Sequence, residues 1–313
     1  MLARIEESFF GGEKHNLSGE RERKAFNEEM SVIANLLDGL FDYAGLFPPA
    51  SLDLPVVVRN YLCYRQGRHA DALGRLIVDC NRAQELRAVA GERLREIQLS
   101  LVASSERDLN GLLYLLDAGL PIDAIEMKAN APSGIERIAR RLPVGLRTYF
   151  EVPVEAGDAK ILDAICATGA RVKLRMGGLT TEAFPSPRAT AGMLQALADR
   201  HLMFKATAGL HHPLRGTHAF TDAPGSAVGA MHGFVNLAFA AAIIHLGGDA
   251  IDAALILEEM DPHAWQIAPE AIAWHEFRWS ALQMEEVRRE FFHSIGSCSF
   301  TQPVEELEAL GWR

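Results

Sequence analysis

The chain has few cysteines. Four of its 313 residues (Cys63, Cys80, Cys166 and Cys298) are cysteine, none in a C-x-x-C pair. That excludes a disulfide framework or a thiolate-rich zinc module and predicts a reducing, cytoplasmic setting. A basic surplus is also missing: 31 Lys and Arg face 41 Asp and Glu, a formal charge of −10. With no basic stripe or zinc-finger spacing, nucleic acid is not expected as a partner. There is no G-x-S-x-G, so a hydrolase nucleophile elbow is absent. No G-x-G-x-x-G follows the first strand candidate, which weakens a dinucleotide-binding reading. The N-terminus, MLARIEESFFGG, lacks a basic segment leading into an apolar run, so no signal peptide is expected. One apolar run, 227–247, is long enough to span a bilayer on length alone. His232, Asn236 and His245 interrupt it and six of its residues are Ala, so a buried helix is predicted and no membrane association.

What is present is alternation. After a charge-rich, largely helical N-terminal extension (1–37), whose helical pattern ends at Gly39, strand candidates recur at 40–47, 75–80, 97–104, 124–129, 148–154, 171–176, 203–209 and 294–300. Helical patterns separate them at 54–66, 83–90, 106–118, 133–141, 154–168 and 189–200. The long seventh interval holds helices near 228–246, 250–260 and 280–292, and a last helix starts after Thr301 and ends at Gly311. Eightfold β/α alternation predicts an α/β protein: a closed parallel (βα)8 barrel over 38–313, with an open doubly wound sheet as the competing architecture.

Neighbouring strand residues face opposite ways, and a barrel strand packs helices on its outer face. In AIEMKA, Ile125 and Met127 oppose Glu126 and Lys128; in TYFEVPV, Phe150 and Val152 oppose Tyr149 and Glu151. In RVKLRM, Val172, Leu174 and Met176 oppose Lys173 and Arg175; in MFKATAG, Phe204 and Ala206 oppose Lys205 and Thr207. Asp79 and Ser100 complete the inward set by the same rule. Buried charges cost several kcal/mol unless paired, so this set is either an ion-pair filling of the barrel or a working site. Its four cations (Lys128, Lys173, Arg175, Lys205) outnumber its three anions (Asp79, Glu126, Glu151), which points to a small anionic substrate, a carboxylate or phosphate.

Three loops belong at the same mouth. Gly177 and Gly178 follow Arg175 and would let an anion approach the backbone, though a plain turn explains them equally. His211, His212 and Arg215 follow Lys205. Ser297, Cys298 and Ser299 end the last strand; Cys298 is either a nucleophile or a small core hydrophobe. His211, His212 and His232, with a carboxylate such as Glu126, form an alternative set for a divalent metal ion, although no H-x-H or H-E-x-x-H spacing supports it. Otherwise no cofactor is expected.

The segment Phe204–Gly209, FKATAG, resembles the K-T-S-T-G strand of deoxyribose-phosphate aldolases, class I aldolases on this barrel. The resemblance implies a Schiff-base lysine at Lys205 with Lys173 as the neighbour that lowers its pKa. DYAGLFPPA, FKATAGLHHPLR and SIGSCSFTQPVEELEALG resemble motifs of a bacterial barrel family without an assigned function. The leading expectation is an aldolase-like lyase acting on a small anionic carbonyl compound. Lys205 forms the imine, Lys173 or Lys128 activates it, and Glu126 or Glu151 moves protons with Tyr149 as helper. Arg175, Gly177, Gly178, Thr207, His211, His212, Arg215, Ser297 and Ser299 bind substrate. The alternatives are a metal-dependent lyase or isomerase using His211, His212 and a carboxylate, or a non-catalytic ligand-binding barrel. Homo-oligomer formation is left open.

Overall fold

The computed structural model describes residues 31–128, 130–155, 158–221 and 223–313. Eight parallel strands close into a barrel: β1 (Phe41–Tyr43), β2 (Leu73–Asp79), β3 (Leu99–Ala103), β4 (Ile122–Lys128), β5 (Arg147–Pro153), β6 (Arg171–Arg175), β7 (Phe204–Thr207) and β13 (Phe292–Ser297). Each neighbour in that order pairs in parallel, and β13 closes the ring onto β1. The expected alternation holds. Ile125, Met127, Phe150, Val152, Val172, Leu174, Phe204 and Ala206 are buried in the helix-facing core, with Leu76, Val78, Leu99 and Leu101. A one-residue slip would have turned every one of them inward, so the apolar face sets the register.

Crossover helices follow the strands. They are α2 (Leu54–Tyr64), α3 (Ala83–Ala90), α4 (Leu112–Asp117), α5 (Pro132–Ala139), α6 (Ala159–Ala167) and α7 (Pro187–Ala198). Pro enters the first turn of α2, α5 and α7, where its missing N–H costs nothing. Before the barrel, α1 (Val32–Leu37) is N-capped by Ser31 and buries Val32, Ile33, Leu36 and Leu37. Its Asn35 donates to the Ala281 carbonyl at 2.8 Å. The end of the expected extension is thus packed into the core; its residues 1–30 lie outside the described residues.

The seventh interval departs from expectation. The helix predicted at 228–246 begins only at Phe234, as α8 (Phe234–His245). Residues before it form a hairpin, β8 (Gly216–Ala219) with β9 (Val228–Met231). Small residues run straight from β9 into the helix, so hydropathy shows no boundary. After α9 (Ala250–Glu258) comes an antiparallel meander, β10 (Trp265–Ala268), β11 (Ala271–Trp274) and β12 (Phe277–Ser280). These strands, four residues each, leave too little alternation to read. A capping box between Ser280 and Gln283 opens α10 (Ala281–Glu290), and α11 (Thr301–Ala309) closes the barrel. Every residue of α8 except His245 is buried, as a helix apolar on all sides requires. Among the described residues no helix is long and apolar enough to cross a membrane.

Candidate functional site

Inside the barrel the polar residues form one chain of alternating charge. Lys205 Nζ contacts Asp42 Oδ2 at 2.5 Å and Glu126 Oε1 at 2.7 Å. The other oxygen of Glu126 pairs with Lys173 Nζ at 2.9 Å. Lys173 also meets Glu151 Oε2 at 2.9 Å, and Glu151 Oε1 reaches an Arg175 guanidinium nitrogen at 3.3 Å. Strand register builds this ladder, because Lys128 lies beside Glu151, Glu151 beside Lys173, and Lys173 beside Lys205. Ser100 donates to Glu126 and Ser294 to Asp42, each at 2.7 Å, and Asp42 Oδ1 accepts from the Arg75 backbone N–H at 2.7 Å with the Arg75 guanidinium 3.6 Å away.

The chain runs from dry to wet. The Asp42, Glu126 and Lys205 side chains are at most 1% exposed, Lys173 is 10% exposed, Glu151 14% and Arg175 51%. Burial opposes the charge on Lys205, but Asp42 and Glu126 outweigh it and raise its pKa above that of an ordinary lysine. Burial likewise opposes the Glu126 carboxylate, and the two lysines outweigh that, holding it well below the usual range. Lys173 is raised by Glu126 and Glu151 against its burial; Glu151 is lowered by Lys173, Arg175 and Lys128 against its own.

A cavity of about 390 Å³ opens at the C-terminal ends of the strands. It is lined by Glu126, Lys128, Glu151, Lys173, Arg175, Gly178, Thr207 and His211 among the expected residues. Its apolar wall includes Phe47, the cis Pro48–Pro49 pair and Phe184, which stacks on Phe220 of the hairpin. A second cavity of about 460 Å³ adjoins it and takes in His212 and Ser299.

Several expected residues stand elsewhere. Lys205 is not among the residues that line the cavity; it lies beneath it between two carboxylates. Tyr149 is buried, is not among the residues that line the cavity, and shares a hydrogen bond of 2.8 Å with His293 Nδ1. Burial and then Arg171, Arg288 and Arg75 push that histidine down to about 3. Gly177 serves packing: a Cβ there would lie 2.6 Å from Phe184 and 2.9 Å from the Gly209 Cα, so the glycine lets two mouth loops touch. Arg215 contacts His232 at 3.4 Å under the hairpin, and Ser297 donates to the Ser299 carbonyl at 2.6 Å. Asp79 caps the next turn by accepting from the Asn81 N–H.

The alternative metal set is not assembled. His232 Nε2 lies 2.7 Å from the Pro185 carbonyl, and burial holds this imidazole at about 4, hence neutral. His212 pairs with Glu306 at 2.7 Å and stacks on His218, while Glu126 is taken up by two lysines. Among the described residues, the one cluster of three His, Cys, Asp or Glu side chains close enough to share an ion is His245, Glu286 and Glu290, on the outer helices.

Asp42 is the residue that sequence reasoning missed. It sits in a three-residue strand whose residues are all buried, so no polar–apolar alternation marks it. The available signal was a carboxylate inside an otherwise apolar strand.

Fold and site together define a (βα)8-barrel protein with a charged cavity at the mouth where barrel enzymes carry their chemistry. Neither the protein-family models nor the curated proteins contain a match to this chain.

Proposed function

We propose that the protein is an aldolase-like lyase for a small carbonyl compound bearing a carboxylate or phosphate, and that Lys173 is the residue that forms the imine. The observation that carries this reading is that, of the two lysines in the buried ion chain, Lys173 is the one that lines the cavity. It lines the cavity at 10% side-chain exposure, with two carboxylates at 2.9 Å. The resemblance of FKATAG to the aldolase strand supports a lysine pair on adjacent strands. In that pair Lys205 is the buried partner.

At rest Lys173 is protonated. Imine formation needs the neutral amine, so its proton passes to a carboxylate, and Glu151 is the better acceptor because its side chain is 14% exposed at the cavity against 1% for Glu126. The Lys173 nitrogen attacks the carbonyl carbon, the oxygen takes up protons, and water leaves to give an iminium. The iminium accepts the electron pair of the breaking C–C bond while a base removes the proton of the β-hydroxyl; protonation and hydrolysis of the resulting enamine return the lysine. Arg175 and Lys128 supply charge for the substrate anion, Arg175 with a planar fork suited to two oxygens. Asp42, Glu126 and Glu151 face Lys205, Lys173 and Arg175, and Asp42 also meets Arg75 at 3.6 Å; Lys128 adds a further cation at the cavity.

Borohydride reduction in the presence of keto acids, small aldehydes and sugar phosphates, followed by peptide mass mapping, tests the proposal. A reduced adduct on Lys173 is expected. Tight binding of such a compound without any adduct would leave a ligand-binding barrel instead.

A further inference from the structure

Seven residues line both cavities. Five are apolar: Pro48, Pro49, Leu179, Phe220 and Met231. The other two are His211 and Cys298. Cys298 Sγ stands 3.9 Å from His211 Nε2, so the two chemistry-bearing side chains at the neck between the chambers face each other. Neither is used in the reaction proposed above. Cys298 is half-buried, while Cys63 and Cys166 are exposed on the outer helices α2 and α6. Cys80 is a buried contrast: burial, then Asp108 and Asp79, push its thiol up to about 12.

We infer that Cys298 and His211 form a nucleophilic thiol pair that takes an aldehyde at the neck of the site. A thiol becomes a nucleophile when a neighbouring base accepts its proton, and an imidazole nitrogen facing the sulfur in a water-accessible neck is such a base. The sulfur attacks the aldehyde carbon and forms a C–S bond. The C=O π pair moves to oxygen, and that oxygen receives the proton held by His211. The product is a neutral hemithioacetal, formed without oxidant or reductant and reversible by the same steps. The captured carbon lies at the neck, and the aldehyde's one substituent extends into one of the two chambers.

Limited alkylation by iodoacetamide, quantified for each cysteine by peptide mass mapping, tests this on the intact protein. Cys298 is expected to react about tenfold faster than Cys63 and Cys166 despite its lower exposure. His211→Ala and the milder His211→Gln should slow Cys298 by about tenfold and leave Cys63 unchanged. Glyceraldehyde should protect Cys298, and the protection should persist in Lys173→Ala, which separates thiol capture from imine formation. Labelling of Cys298 no faster than that of Cys63 and Cys166 overturns the inference. So does a rate unaffected by both His211 substitutions, or protection that vanishes with Lys173.

Discussion

Lys205 and Lys173 are paired on adjacent strands and each touches Glu126, yet their surroundings differ. Lys205 sits in the sealed half of the barrel, between Asp42 and Glu126, with a Tyr149 ring centroid 5.5 Å from its ammonium. Lys173 stands one step up the chain of charges, where the cavity begins. In the proposed mechanism the same side chain is a structural cation where it is dry and fully paired, and the imine-forming group where one side is open. Charge content alone does not make an active site; access does.

The sharpest way to break the comparison is to delete the charges. Lys205→Met should destabilise the fold by about 3–5 kcal/mol in urea unfolding, because it takes the shared cation from two fully buried carboxylates and leaves Asp42 only the Arg75 guanidinium at 3.6 Å. Acid should act next. His232 and His293 titrate at about 4 and about 3 in the fold against 6.5 when free, so the unfolded chain takes the proton first as pH falls. Their contribution is complete above about 6.5. It declines on acidification by roughly 1.4 kcal/mol per pH unit for each histidine until the folded values are reached. Urea midpoints at pH 7 and pH 5 check this, and a flat profile there would contradict the neutral buried imidazoles. Lys173→Met should cost only about 1–2 kcal/mol. Glu126 keeps Lys205, Glu151 keeps Arg175, and the cavity admits water. Equal losses for the two methionine variants would erase the distinction between the sealed and open halves. The smallest effect is that of Arg175→Gln, whose half-exposed side chain should change stability by no more than about 0.5 kcal/mol while weakening anion binding about tenfold.

Much of the sealed half was legible because the barrel strands alternate. Ile125 and Met127 against Glu126, or Phe150 and Val152 against Tyr149, fix which face turns inward, and the structure follows that register. Depth along the strand was not legible. Glu126 and Lys128 share a face in sequence, but Glu126 is 1% exposed and Lys128 is at the rim. Which lysine meets solvent depends on strand stagger and on Asp42, a contact 163 residues distant in sequence. The histidines were misleading for the same reason. His211, His212 and His232 are close along the chain, but the hairpin sends His232 to the Pro185 carbonyl and His212 to Glu306. The second cavity, built by that hairpin and the start of α11, had no signature at all, because its strands are four residues of small and mixed side chains.

The difference between the two lysines can be measured directly by reductive methylation of the native protein, with the extent of modification at each lysine read by peptide mass mapping. Modification of Lys173 before unfolding, with Lys205 protected until the barrel is denatured, is the predicted result. Modification of Lys205 at the rate of Lys173 in the folded protein, or protection of both, would contradict the account.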